Sequence, residues 1–257
     1  MQSMQITFMA LLLAHLLSDF PFQPEWIAKN KGNQHWPLIV HGVVHLVLAW
    51  TCLIIFAPVS FMSFSSQAVV AGYAVVHLLI DKLRHRLIVK KVLLDNWKTF
   101  LLDQLLHIVV LTIAVIVLSR IPIGTILQSL QTTPSTKAHI LGVAIIYAAV
   151  IFGGGYLIRY LTRELAGNVV QEPQAQLGNA GLYVGWIERF LVITAIAMQS
   201  PALVGLILTG KSIARFPEFK EARFAEYFLI GTLLSISLSV VGGIVLLHLI
   251  YGTVSLK

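Results

Sequence analysis

The sequence predicts an all-α membrane protein that crosses the bilayer about eight times. Of its 257 residues, 57% are hydrophobic and 11% are charged, whereas soluble domains carry about 25% charged residues. Apolar runs recur along the whole chain, and several approach the roughly 20 residues that span a bilayer as a helix. The alternating strands of roughly ten residues that build a membrane β-barrel are absent from the sequence.

Eight apolar segments account for this fold class, and we expect each to be helical. The seventh is short, and the stretch QSPAL at 199–203 either joins two spans or breaks a re-entrant segment, so seven spans is the alternative. A connector at 119–138 separates a His/Asp-rich domain, 1–118, from a C-terminal domain, 139–257. The glycine triplet at 153–155 predicts close packing between helices. The segments are 4–21, 36–57, 67–83, 99–118, 139–160, 181–199, 201–214 and 225–251.

The distribution of Lys and Arg predicts the orientation. With eight spans, the loops at 22–35, 82–98, 159–180 and 211–224 all lie on one side, and they hold 14 of the 18 basic residues. Because basic residues accumulate in cytoplasmic loops, we expect this side to face the cytoplasm and both termini to lie outside. The same rule explains the net charge of +7, so nucleic acid is not an expected partner.

Each of the first four segments carries a pair of ionisable residues spaced four apart. This spacing puts both members of a pair on one helix face, one turn apart. The pairs lie near the ends of segments one and three and near the starts of segments two and four, so all share one depth near the cytoplasmic boundary. We therefore expect one polar centre inside a four-helix arrangement. The pairs are His15 and Asp19, His41 and His45, His77 and Asp81, and Asp103 and His107.

Imidazole and carboxylate groups together suit a divalent metal ion, with zinc as the first choice and manganese or iron as alternatives. A catalytic zinc uses three protein ligands and leaves a fourth position to water. Asp19, Asp81 and Asp103 are the candidate catalytic residues, although Asp19 and Asp81 also fit solvated helix ends, and Lys82 could pair with Asp81. Any single histidine also fits a hydrogen bond between helices. The predicted metal ligands are His15, His41, His45, His77, His107, Asp81 and Asp103.

A second polar set lies in the C-terminal half, on the same predicted side of the membrane. Lys211 and Arg215 are spaced four apart, which suits a lipid phosphate or ordinary anchoring of a helix end. Glu188 could bridge to Lys211 or Arg215, and Arg189 could bridge to Glu226. We expect these five residues to bind the substrate, with a structural ion-pair network as the alternative.

The chain resembles a family of bacterial polytopic membrane proteins without an assigned function. In the first half the resemblance rests on HLLSDFPFQP.W.A..K at 15–31, H...H at 41–45, H..ID at 77–81 and DQ..H at 103–107. In the second half it rests on GWIERFL at 185–191, TGKSIARF at 209–216 and EYFLIGTLLS at 226–235. The resemblance implies a multi-pass protein of a bacterial inner membrane. The pattern of His and Asp in a membrane setting is also similar to that of membrane-bound metal-dependent hydrolases.

These observations predict an integral membrane metal-dependent enzyme, a hydrolase that acts on a lipid or another anionic amphiphile at the cytoplasmic leaflet. A metal or proton-coupled transporter is the alternative, although transport sites usually lie near the midplane. Haem ligation by two deep histidines, such as His45 and His107, is the third possibility. Membrane lipid is the expected partner, and the oligomeric state stays open. We expect the single cysteine, Cys52, to be a core residue.

Overall fold

The chain is all-helical in a computed structural model that describes residues 2–119, 135–165, 180–220 and 222–252, with no strand among them. Five of its helices are long and apolar enough to cross a membrane, which confirms the predicted polytopic helical membrane protein. Met4–Asp19 and Ala202–Ala214 are also apolar but shorter. Most of the predicted connector at 119–138 lies outside the described residues, so the predicted domain boundaries stay a prediction.

Each predicted segment corresponds to a helix over most of its length, and residues 20–21 and 198–199, at two predicted ends, are turns. The sequence did not predict the two short helices at Glu25–Asn30 and Pro58–Phe61, nor a π-helical turn inside the fifth segment. The first half contains α1 Gln2–Asp19, α2 Glu25–Asn30, α3 His35–Phe56, α4 Pro58–Phe61, α5 Phe64–Val89 and α6 Trp97–Ser119. The second half contains α7 Thr136–Ala148, the π turn Ala149–Gly153, α8 Gly154–Leu165, α9 Ala180–Ala197, α10 Ala202–Ala214, a 3-10 turn at Phe216–Lys220 and α11 Ala222–Tyr251.

Four helices of the first half, α1, α3, α5 and α6, form a closed ring. Helix α1 packs against α3 and α6, and α5 packs against the same two helices. Short connections make helices that follow each other antiparallel. The C-terminal parts of α1 and α5 therefore lie at the same end of the bundle as the N-terminal parts of α3 and α6. This is the end where all four pairs of ionisable residues occur.

Side-chain caps fix where two of these helices begin. Ser63 precedes α5, and its hydroxyl accepts a hydrogen bond from the Ser66 main-chain N–H at 3.1 Å. Asn96 precedes α6, and its Oδ1 accepts from the Thr99 main-chain N–H at 3.0 Å. Both caps satisfy backbone donors that the first turn of a helix leaves without partners. They set the helix starts that determine which residues of α5 and α6 face the bundle interior.

The interior of the bundle is polar at one end and mostly apolar beyond it. Beyond the ionisable pairs, the interior is filled by Leu11, Leu53, Leu111 and Val115, each at most 1% exposed. The outward surface is also apolar, with side chains that are more than half exposed, and this suits contact with lipid chains. These outward residues include Val43, Ile54, Leu79, Leu105 and Ile113.

A second compact unit begins at Ile146. In it α9 packs against α10 and α11, and α11 also packs against α8. Gly154, in the predicted triplet, faces the Leu238 side chain so closely that a Cβ would clash, as the packing prediction expected. A Cβ at Gly242 would lie 2.7 Å from a methyl carbon of Val150 in the π turn. Small residues thus let the helices of this unit approach closely.

Candidate metal centre

The eight ionisable residues of the four pairs come together in the interior of the first unit, and we call them the His/Asp cluster. Each of the five histidines is at most 2% exposed, and each of the three aspartates is at most 7% exposed. The alternative reading of Asp19 and Asp81 as solvated helix ends does not fit their burial, since each is only 7% exposed. The ring of four helices encloses both carboxylates. Their roles as metal ligands or catalytic groups stay predictions.

Asp19 is the carboxylate that the imidazoles surround. Its Oδ1 lies 2.8 Å from His45 Nε2 and 3.2 Å from His77 Nε2. The same oxygen lies 3.5 Å from His41 Nε2, and its Oδ2 lies 3.9 Å from His15 Nε2. One carboxylate thus faces four imidazoles from three helices. The i, i+4 spacing on α1 and α3 brings about this arrangement because it turns both members of a pair inward.

His77 lies at the centre of the imidazoles. Its ring centroid is 3.8 Å from that of His45 and 4.0 Å from that of His107. The centroids of His41 and His15 lie 5.4 Å and 5.5 Å away. The five rings therefore pack against one another, and α5 contributes the ring that touches the other three helices.

The cluster contains three overlapping sets of potential metal ligands. The first is His15, Asp19, His45 and His77, whose ligand atoms lie within 4.8 Å of one another. Zinc binds His and Asp at roughly 2.0–2.2 Å, which separates tetrahedral ligand atoms by roughly 3.3 Å, so small side-chain rotations would close this set on an ion. The second set is His41, His77 and Asp81, and the third is Asp81, Asp103 and His107.

Several buried polar atoms of the cluster have no hydrogen-bond partner within the described part of the chain. Both ring nitrogens of His107 are among them, together with Nδ1 of His15, Nδ1 of His77 and Oδ1 of Asp103. Leaving one such atom unsatisfied costs about 1–3 kcal/mol. Nitrogen and carboxylate lone pairs of this kind are suitable ligands for a metal ion, so the donor set fits the predicted divalent metal.

Sequence reasoning missed the role of Lys31, which it counted only as a basic loop residue. The Lys31 ammonium donates to Asp81 Oδ2 at 2.7 Å and lies 3.4 Å from His41 Nε2. With the Gln23 amide oxygen turned towards it, the ammonium also donates to Gln23 at 2.7 Å. The partner of Asp81 is thus Lys31, delivered by α2, and not the adjacent Lys82. The motif at 15–31 contained both Gln23 and Lys31, so it carried a usable signal.

Gln104 is a second polar residue whose role the sequence did not reveal. Its Nε2 lies 3.5 Å from Asp19 Oδ2 and 3.4 Å from Asp103 Oδ2. Its Oε1 lies 3.4 Å from His15 Nε2. The amide therefore connects the first ligand set to the Asp103 carboxylate. It belongs to the motif DQ..H, where only the two ionisable residues drew attention.

Arg84 brings a second positive charge to the edge of the cluster. Its Nη1 lies 3.7 Å from Asp103 Oδ2, and its Nη2 lies 3.6 Å from Asp95 Oδ1. Arg84 follows Asp81 by three residues on α5, so both lie on the face that meets α6. The guanidinium thus joins Asp103 to the segment between α5 and α6.

In the second unit, Lys211 and Glu188 form one of the bridges that the sequence predicted. The Lys211 ammonium lies 2.6 Å from Glu188 Oε2, and it also lies 5.2 Å from the centre of the Phe228 ring. Glu188 is only 5% exposed. Arg215 is half-buried and Glu226 is exposed. The predicted substrate-binding role of these residues stays a prediction.

The contacts of Arg189 differ from the predicted ones. Its guanidinium donates twice to the main-chain oxygen of Ile151, from Nε at 2.9 Å and from Nη2 at 2.7 Å, and its Nη1 lies 3.4 Å from Ser235 Oγ. The predicted bridge to Glu226 is not formed between these two described residues. The physical reason is the π turn at Ala149–Gly153, whose carbonyl provides a buried acceptor that the sequence pattern did not reveal.

Comparison with known families found a match over the first half of the chain. Residues 7–149 match DUF3307, a family described as a protein of unknown function. The matched region contains the whole His/Asp cluster as well as Gln23, Lys31, Arg84 and Gln104. Comparison with curated proteins and with solved structures found no match.

Proposed function

Since the chain belongs to the DUF3307 family of proteins of unknown function, we propose its activity from the site alone: a metal-dependent membrane hydrolase. The observation that carries this proposal is the buried set of three imidazoles and one carboxylate, His15, Asp19, His45 and His77, with ligand atoms within 4.8 Å of one another. Three histidines, or two histidines and a carboxylate, are the ligands of catalytic zinc sites. Manganese and iron accept the same donors.

We assign a role to each of these residues from its contacts. His15, Asp19, His45 and His77 would hold the metal, which supplies a Lewis acid and lowers the pKa of water. Asp103 is the candidate general base, because its Oδ1 is buried without a described partner and its Oδ2 contacts Gln104. Gln104 would orient the carboxylates of Asp19 and Asp103. Asp81 has its charge matched by Lys31, which makes it a positioning residue in this account.

The apolar interior beyond the cluster supports an enzyme over a transporter. A transport site needs access from both sides of the membrane. In this bundle Leu11, Leu53, Leu111 and Val115 fill the space between the cluster and the opposite end, each at most 1% exposed. Among the described residues of the bundle, such packing favours access to the cluster from one end only. Metal or proton-coupled transport therefore stays the second choice.

The packing of the rings counts against haem. Two axial imidazoles must lie on opposite faces of a porphyrin, with the iron between them. Between His45 and His107 lies the His77 ring, with its centroid 3.8 Å from one and 4.0 Å from the other. A porphyrin placed there would have to displace a buried side chain.

The proposed substrate is a lipid or another anionic amphiphile, reached from the cytoplasmic leaflet of a bacterial inner membrane. The apolar outer surface of the bundle supports a substrate that is delivered within the membrane plane. The excess of basic residues on the predicted cytoplasmic loops supports both the orientation and the negative headgroup. In the predicted substrate-binding set, Lys211 and Arg189 already have partners in the second unit, so headgroup contacts by that set depend on an exchange of partners.

The first test is metal content. The protein purified in detergent should carry a stoichiometric divalent metal, measured by plasma mass spectrometry. His45→Ala and His77→Ala should lose it, whereas His35→Ala should not, because His35 is an exposed residue at the start of the same helix as His45. Metal-free wild-type protein that stays folded and does not take up zinc would overturn the proposal.

The second test is hydrolysis. Wild-type protein in mixed micelles of anionic phospholipid should consume the lipid, as followed by mass spectrometry, and a chelator should stop the reaction. Asp103→Asn should retain the metal and lose turnover, because it keeps the shape of the side chain but removes the base. Full turnover in chelator, or in Asp103→Asn, would contradict the assigned roles.

A further inference from the structure

We propose that Lys31 is a tethered cation that fills the second metal position of the His/Asp cluster, so that the protein holds one divalent ion and not two. The inference rests on the proposed metal site and adds a statement about its stoichiometry. The His/Asp cluster has a surplus of ligands, since its five imidazoles and three carboxylates exceed what one ion binds. Clusters of this composition commonly hold two ions roughly 3.5–4 Å apart.

The second ligand set has the geometry of a metal site. His41 Nε2 lies 3.3 Å from Asp81 Oδ2 and 3.3 Å from His77 Nε2, and the latter two atoms are 3.6 Å apart. Ligand atoms around a tetrahedral zinc ion are separated by roughly 3.3 Å, given metal–ligand distances of roughly 2.0–2.1 Å. These three atoms therefore already have the spacing of a bound ion's ligands. Because a ring nitrogen has one lone pair, His77 can bind only one ion, so a second ion here would take His77 and leave His15, Asp19 and His45 to the first ion.

The Lys31 ammonium contacts two of those three atoms. It lies 2.7 Å from Asp81 Oδ2 and 3.4 Å from His41 Nε2, and its third contact is the Gln23 oxygen at 2.7 Å. An ammonium group has three donors and no acceptor, so these contacts use its full capacity. Lys31 thus occupies the side of the set from which a second ion would bind.

The charges of the cluster agree with a single ion. Its three aspartates and the adjacent Asp95 carry four negative charges when ionised, and Lys31 and Arg84 carry two positive charges. The remaining two negative charges are what one divalent ion neutralises. With Lys31 in place a second divalent ion would leave two excess positive charges in a buried site, whereas without Lys31 the excess is one, so the ammonium disfavours the second ion.

The tether makes the ammonium an effective competitor. Lys31 directly follows α2, which packs against α3 and is anchored by Ile27, only 2% exposed. A group held on a short tether has an effective concentration in the millimolar range, far above that of free transition metal ions. Removing the positive charge should therefore open the second position.

The test compares metal stoichiometry in full-length variants purified in detergent and loaded with Mn²⁺ or Zn²⁺. Wild type should bind one ion, and Lys31→Met should bind two, with a spin-coupled Mn²⁺ pair in the electron paramagnetic resonance spectrum. Lys29→Met is the matched control and should stay at one, because Lys29 lies two residues before Lys31, on α2, in an exposed pair with Glu25.

Two further variants keep the test decisive if Lys31→Met fails to fold. Lys31→Gln retains hydrogen-bond donors without the charge and should also bind two ions, whereas Lys31→Arg retains the charge and should bind one. One ion in wild type and one in both neutral variants would overturn this inference alone. Two ions in wild type would overturn it as well. No ion in any protein would overturn the proposed function, and this inference with it.

Discussion

Replacing Gln104 by leucine should weaken metal binding although Gln104 is not a proposed ligand. Its amide contacts Asp19 Oδ2 at 3.5 Å, Asp103 Oδ2 at 3.4 Å and His15 Nε2 at 3.4 Å. Leucine has a similar volume and cannot hydrogen-bond. Asp19 and His15 would then lose the group that fixes their orientation relative to each other.

The contact distances set the expected magnitude. Loss of a partner that orients metal ligands typically lowers affinity by about 10–100-fold. The three contacts of Gln104 are longer than the 2.7–3.2 Å of good N–H···O hydrogen bonds, which places the effect at the weak end. We therefore expect the dissociation constant for zinc to rise about tenfold in Gln104→Leu, which corresponds to about 1.4 kcal/mol.

The assay is competition with a chelating indicator in detergent, with the folded state of each variant checked by its thermal unfolding. Gln67→Leu is the matched control, because Gln67 lies on α5 of the same bundle, outside the cluster, and is half-buried. A dissociation constant of Gln104→Leu within twofold of wild type would show that Gln104 does not orient the metal ligands. This role is equally refuted if Gln67→Leu weakens binding as much.

Three predictions concern stability and packing. Lys211→Met should destabilise the fold by about 3 kcal/mol, the low end for breaking a buried ion pair because Lys211 is partly exposed, and adding Glu188→Gln should restore most of the loss in thermal unfolding. Gly243→Ala should lower the unfolding temperature because its Cβ would lie 2.6 Å from a side-chain carbon of α9, whereas Gly205→Ala, with nothing within 4 Å, should not. Cys52 is 6% exposed, so it should react with a maleimide only after denaturation, and rapid labelling of the native protein would contradict the fold.

The His/Asp cluster could be predicted from the sequence because its signal is local. Each pair recurs at a spacing of four, and the antiparallel order of the segments fixes a common depth. An ionisable group in hydrocarbon is energetically unfavourable. Four pairs at one depth therefore indicate a shared polar centre. The same reasoning left a solvated helix end open as the alternative for Asp19 and Asp81, because distance from a helix end does not reveal whether neighbouring helices cover that end.

The features that the sequence did not predict depend on contacts between distant segments. Lys31 reaches Asp81 because α2 folds back over the bundle, and periodicity does not reveal a six-residue helix between two spans. Arg189 binds the carbonyl of Ile151, an acceptor available because of a π turn that apolar sequence does not signal. In both cases the sequence showed a basic residue, but its partner could be identified only from the three-dimensional arrangement.

The most direct test of a histidine-held metal is X-ray absorption spectroscopy of the purified wild-type protein at the edge of the metal it carries. We predict one ion per chain with a first shell of nitrogen and oxygen at roughly 2.0–2.1 Å and the multiple scattering of about three imidazoles. The account is contradicted by protein that carries no metal after zinc loading, or by a first shell without imidazole scattering.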